Sequence, residues 1–138
     1  MSEPASISIQ RRIEWMDTDA AGIYHWSTVC RLAEAAEAEL HRALGITELT
    51  FGVSPRLSVH FDFMQRLTFD DLVTVDFAVD RVGRSSIEYA IQVHGPNGVA
   101  VTGTVVTCIV ENQEGRAIPL PPELRRALTE SGAVAVGG

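Results

Sequence analysis

The chain has 138 residues, 46% of them hydrophobic and 21% charged, a size and balance that predict one globular domain with a substantial core. A net charge of −7 argues against nucleic acid as the main partner. No stretch reaches the roughly 20 apolar residues needed to span a bilayer, so no membrane partner is expected.

Met1 to Gln10 shows no basic region followed by an apolar run, and a cytoplasmic protein is the expectation. Ile7, Ile9, Ile13 and Trp15 predict a first strand that ends at a turn around Asp17 and Asp19. After the turn, Val29, Leu32, Ala33, Ala36, Leu40, Ala43 and Leu44 follow the spacing of one helical face. Arg31, Glu34, Glu37, Glu39 and Arg42 oppose them, which predicts a helix from Ser27 to Leu44. Ser27 or Thr28 can cap its start, and Gly45 ends it.

Thr47 to Pro55 reads as a loop. The period then changes to two, in Leu57 to Phe63, Val73 to Val79 and Ile87 to Val93, and a last run spans Val99 to Val110. These predict four half-buried strands. Arg81 to Ser85 supplies one turn, and Gly95-Pro96-Asn97-Gly98 is a hairpin signal. Ile118 to Pro122 breaks regular structure, Glu123 to Thr129 predicts a short helix, and residues 131–138 read as a flexible C-terminal tail after a single domain over 1–130. The pattern of one long apolar helix with a mostly antiparallel sheet is α+β.

Cys30 and Cys108 lack CxxC spacing and are expected as buried thiols. His25, His41, His60 and His94 are scattered with no ligand spacing, so neither a metal nor an organic cofactor is expected. All eleven basic residues are arginine, whose planar fork suits a small phosphate site.

Chemistry concentrates in Trp15 to Trp26. Two carboxylates one residue apart, a glycine and a helix start can set an acid beside free backbone N–H groups. That pairing suits attack on an electrophilic carbonyl. The segment Asp17-Thr18-Asp19-Ala20-Ala21-Gly22-Ile23 resembles the signature of the 4-hydroxybenzoyl-CoA thioesterase family of hotdog-fold acyl-CoA thioesterases. The likeness continues through Glu34, Phe61-Asp62-Phe63, Leu67 to Asp71, Gly83-Arg84-Ser85-Ser86, Ile118-Pro119 and Glu123-Leu124.

The resemblance implies a hotdog fold, in which a sheet of about five strands wraps one long central helix, and a homodimer or homotetramer. It implies hydrolysis of an acyl-CoA or acyl-pantetheine thioester. Asp19 matches the catalytic acid, and the oxyanion donor falls on the Trp26 backbone amide, where many members carry a histidine. Gly22 matches a small residue that admits the thioester. His25 is a candidate for the pocket wall, and Arg84 and Ser85 are candidates for the CoA phosphates. Asp17 is expected to support the turn. Glu34 is expected at the surface or against a dimer interface or the active-site loop, His60 at the surface or an interface. Asp19 can attack the carbonyl or activate water, and both routes stay open. The alternatives are release from an acyl-carrier protein and a non-catalytic acyl-CoA-binding protein.

Overall fold

A computed structural model describes residues 2–137. Strand β1, Ser6–Arg12, buries Ile7 and Ile9 on one face. Helix α1, Thr28–Leu44, ends on Gly45 in the left-handed conformation, with the Gly45 N–H bonded back to Arg42 O. A four-residue helix α2, Thr47–Thr50, occupies part of the expected loop. Strands β2 (Arg56–Phe63), β3 (Leu72–Val82), β4 (Ser86–Gly95) and β5 (Gly98–Cys108) follow, and α3 spans Pro122–Glu130.

The five strands form one sheet in the order β1-β3-β4-β5-β2, with every neighbouring pair antiparallel. Alternation sets its two faces. Val73, Val75, Phe77 and Val79 of β3, with Ile87, Tyr89, Ile91 and Val93 of β4, are buried toward α1. From α1, Val29, Leu32, Ala33, Ala36 and Leu40 meet them, and the helix lies chiefly against β1 and β3. The Gly95–Gly98 hairpin joins β4 to β5 with Pro96 and Asn97 at its tip. This is the curled antiparallel sheet around a helix that the family resemblance implied.

Five local expectations change. Trp15 is 78% exposed in a short 3-10 turn, its ring edge-on to Phe69, because β1 stops at Arg12 and only Ile13 continues into the core. Strand β2 is exposed along nearly its whole length, because one long edge pairs with β5 and nothing among the described residues covers the other. Cys30 is exposed, one turn past Trp26 on the uncovered side of α1, while Cys108 is buried as expected. Glu37 is buried rather than solvated, since the segment after α2 folds over it and Arg56 pairs with it at 2.6 Å. The stretch 131–138 is tied down over its first part, with Gly132 N–H on Glu3 O at 2.9 Å and Val134 N–H on Ser6 O at 2.8 Å; Gly138 lies outside the described residues.

Candidate active site

The chain leaves β1 at Arg12 and reaches α1 at Thr28 through a small antiparallel loop. Thr18 bridges Tyr24, and Asp19 N–H donates to Ile23 O at 2.9 Å. Gly22 N–H closes a turn onto Asp19 O at 3.0 Å, and Gly22 holds φ +77° there, a region other residues enter only with strain. No atom lies within 4 Å of where a Gly22 side chain would begin, so the space beside it is open.

The two carboxylates of this loop do different work. Asp17 is 5% exposed and saturated. Its Oδ1 accepts from Arg31 Nε at 3.0 Å, and its Oδ2 accepts from Arg31 Nη2 at 2.6 Å and from Glu14 N–H at 2.7 Å. Its carbonyl accepts from His25 N–H at 2.7 Å and Thr28 Oγ1 at 3.0 Å. The bidentate pair thus bolts the loop to the second turn of α1. Asp19 is exposed. Its Oδ1 accepts from Ala21 N–H at 2.8 Å and more weakly from Ile23 N–H at 3.4 Å, which orients the group. Its Oδ2 has no partner among the described residues.

At the helix start, Ser27 stands at the cap position in a helical conformation, and its side chain caps nothing. Thr28 anchors the helix to Asp17 instead. The N–H groups of Thr28, Val29 and Cys30 bond to His25, Trp26 and Ser27 carbonyls. The N–H groups of Trp26 and Ser27 have no partner among the described residues, and they lie at the positive end of a 17-residue helix. The Trp26 side chain is 71% exposed and borders a cavity of about 320 Å³ with Tyr24, Phe63, Met64, Gln65 and Arg66. His25 is exposed beside it, with no side-chain hydrogen bond among the described residues.

Arg84 and Ser85 are not brought to this site within one chain. They lie in the β3–β4 turn, where Arg84 O accepts from Leu120 N–H and Ser85 O from Ile109 N–H, both at 2.9 Å. The loop of Asp19 is at the opposite end of the sheet, where Arg12 pairs with Leu72. The ten steps of β3 from Leu72 to Val82, at about 3.3 Å each, separate the two ends by about 30 Å. Glu34 is exposed on α1, and His60 is exposed on β2 beside Asp62.

A larger cavity of about 600 Å³ opens over the C-terminal half of α1, under residues 47–56. Sequence reasoning did not single it out. His41 is buried at its base, with Nδ1 2.8 Å from Thr50 Oγ1 and Nε2 2.9 Å from the Tyr89 hydroxyl. Burial first, and the nearby Arg56 charge second, push the His41 pKa down to about 4, so the ring is neutral at pH 7. Burial raises the Tyr89 hydroxyl well above its ordinary range. The available signal was spacing: Ala33, Glu37 and His41 repeat every four residues beside the apolar stripe, a row that a wider buried face would include.

A five-stranded antiparallel sheet curled on one long helix, with a polar turn where the first strand hands over to that helix, is the hotdog class of α+β fold. The chain belongs to the Thioesterase-like superfamily, whose family model matches residues 13–128, and it is a thioester hydrolase. It is 26% identical over 129 residues to a 1,4-dihydroxy-2-naphthoyl-CoA hydrolase of Synechococcus elongatus, covering 88% of this chain and 93% of that protein. The fold is shared with a predicted thioesterase from Bacillus stearothermophilus, with TM-score 0.81 and 22% identity over 89% of this chain and 93% of that one. It is shared as well with a 4-hydroxybenzoyl-CoA thioesterase variant solved with 4-hydroxybenzoyl-CoA, with TM-score 0.79 and 23% identity over 89% and 98% of the two chains. No helix among the described residues is long and apolar enough to cross a membrane.

Proposed function

We propose that the protein hydrolyses acyl-CoA thioesters, with Asp19 as nucleophile or general base and the Trp26 backbone N–H as oxyanion donor. One observation carries this reading: of the two carboxylates in the loop, Asp17 is consumed by Arg31, while Asp19 keeps an oxygen free. The N–H groups of Trp26 and Ser27 stand unpartnered among the described residues at the helix start, and the space beside Gly22 is open. Negative charge that develops on the carbonyl oxygen is met by an amide already fixed in place, which costs no reorganisation during the reaction. The relationship to a naphthoyl-CoA hydrolase and the fold shared with a benzoyl-CoA thioesterase support CoA as the leaving thiol.

The reading includes a second copy of the chain. β2 is a bare sheet edge that exposes Leu57, Val59 and Phe63, and such an edge invites a further strand. Antiparallel, two-fold pairing of β2 with its copy sets the Phe63 end of one protomer beside the Arg56 end of the other. The Asp19 loop packs at the Phe63 end, where Tyr24 N–H bonds Leu67 O. The Arg84 turn sits at the Arg56 end, where Cys108 N–H bonds Pro55 O. Each Asp19 therefore faces the partner's Arg84 and the partner's Ser85, which supply the contacts to the CoA phosphates.

A thiol-release assay over short, long and aromatic acyl-CoAs, on the wild type and Asp19→Asn, tests the reading. Release by the wild type and its loss in Asp19→Asn are expected. Tight binding of every thioester without release by the wild type makes the protein a binding module instead, and full activity in Asp19→Asn removes Asp19 from the chemistry.

A further inference from the structure

Helix α3 grips the β3–β4 turn. Arg125, half-buried on that helix, donates from Nη2 to Gly83 O at 2.8 Å and more weakly to Arg84 O at 3.4 Å. Leu120 N–H and Ile109 N–H take up Arg84 O and Ser85 O, both at 2.9 Å. All three carbonyls of Gly83-Arg84-Ser85 are thereby tied back to the protein, while the N–H groups of Arg84 and Ser85 have no partner among the described residues. A backbone held this way keeps donors for an anion and withdraws the oxygens that would repel it. The grip has a firm base, because Leu124 and Leu128 of α3 are fully buried and Thr129 Oγ1 donates to Arg125 O at 2.7 Å.

Unmatched charge gathers at the same place. Arg81, Arg84, Arg125 and Arg126 form no ion pair among the described residues, whereas Arg12, Arg31, Arg42 and Arg56 each meet a carboxylate. Arg125 spends Nη2 on the turn, and its charge stays uncompensated one hydrogen bond from the turn backbone. We propose that Arg125 is a positioning residue for CoA recognition: it acts through the β3–β4 turn, fixing Arg84 and the two free N–H groups in the arrangement that meets the CoA phosphates. The inference rests on the reading that Arg84 and Ser85 contact those phosphates. Arg125 itself is aimed at the turn's carbonyls, so its effect passes through Arg84 rather than adding to it.

The test compares octanoyl-CoA with octanoyl-pantetheine, which has the same thioester and lacks the phosphates and the nucleotide. The proteins are the wild type, Arg84→Ala, Arg125→Met, Arg125→Lys and the Arg84→Ala/Arg125→Met double variant. The readout is the ratio of kcat/KM for the two substrates, which a merely structural loss leaves unmoved because it lowers both together. Arg125→Met should cut the ratio about tenfold, through KM, as Arg84→Ala does. Arg125→Lys keeps the charge and one donor for Gly83 O, and should return the ratio to within about threefold of the wild type. The double variant should fall no more than about twofold below Arg84→Ala alone, since both substitutions disable one contact. A ratio that drops in Arg84→Ala but not in Arg125→Met, or losses that multiply in the double variant, would overturn the inference and leave the phosphate reading intact. A ratio unmoved by Arg84→Ala removes the phosphate reading and the inference with it. Calorimetric affinities of both thioesters for the Asp19→Asn form of each protein read the same ratio without turnover. The expected pattern there with no hydrolysis by the wild type sinks the thioesterase reading and leaves the Arg125 assignment standing.

Discussion

Arg31 holds Asp17 by both carboxylate oxygens, at 3.0 and 2.6 Å, while the neighbouring Asp19 keeps one oxygen without a partner among the described residues. Exchanging each acid for its amide should separate chemistry from stability. Asp19→Asn removes an exposed carboxylate that supports no distant element, so its melting curve should match the wild type while kcat falls about 10²- to 10⁴-fold. Asp17→Asn leaves Arg31 without its counter-charge and loosens the loop, and should cost about 2 kcal/mol. Thermal melts beside a thiol-release assay read both.

Gly22→Ala isolates the backbone requirement of the turn. Nothing lies within 4 Å of the new methyl, so the loss comes from φ +77° alone, about 1 kcal/mol. If the thioester passes over this position, kcat/KM should fall further than that stability loss explains. A melting shift without a kinetic effect would leave Gly22 as a turn residue only.

His41 should make the fold acid-sensitive within a defined window. Its folded pKa of about 4 lies below the ordinary 6.5, so between these values the unfolded chain binds the extra proton. The contribution of the neutral His41 is therefore full above pH 6.5, declines as pH falls toward 4, and is gone below. The span between the two pKa values bounds the effect at about 3 kcal/mol. In His41→Gln this decline should vanish from the pH dependence of chemical denaturation, at the cost of lower stability at pH 7.

Much of this is written in local pattern. The α1 stripe, the Gly45 stop and the alternation of β3 and β4 depend on which side chains recur at periods of 3.6 and 2, and the structure follows them. The Asp17/Asp19 motif likewise lies within one continuous segment. What local pattern hides is contact between distant segments. Glu37 reads as solvated until Arg56, 19 residues away, folds over it. His41 reads as unremarkable until Tyr89, 48 residues away, reaches its ring. β2 carries the same alternation as β3 yet stays exposed, because alternation reports a strand and says nothing of its place at the sheet edge.

That bare edge predicts the oligomer. Val59 is 44% exposed on β2, so Val59→Lys should leave the isolated protomer folded while setting like charges against each other where two copies pair. Light scattering should then report a smaller particle than the wild type, and hydrolysis should fall with the loss of the partner's contacts. A Val59→Lys protein of wild-type size and activity would rule out pairing along β2.

The reach of β3 gives the last prediction its force. About 30 Å separates the Asp19 loop from Arg84 in one chain, so a phosphate contact from Arg84 can serve only the site of a partner. Arg84→Ala alone should raise KM for CoA thioesters with little change in kcat, and the rise should shrink at high salt as the ionic contact is screened. Asp19→Asn alone should be inactive. When the two variants are unfolded together and refolded as mixed dimers, one site of each mixed dimer combines an intact Asp19 with the partner's intact Arg84, while the other lacks both. Mixing should therefore add a component with a wild-type KM worth about a quarter of the wild-type kcat per chain, since about half the dimers are mixed and each has one good site, beside an elevated-KM component of about the same size from the Arg84→Ala homodimers. If Arg84 served its own chain's site, every active site in the mixture would carry the elevated KM. Kinetics of the mixture at low substrate distinguish the two directly.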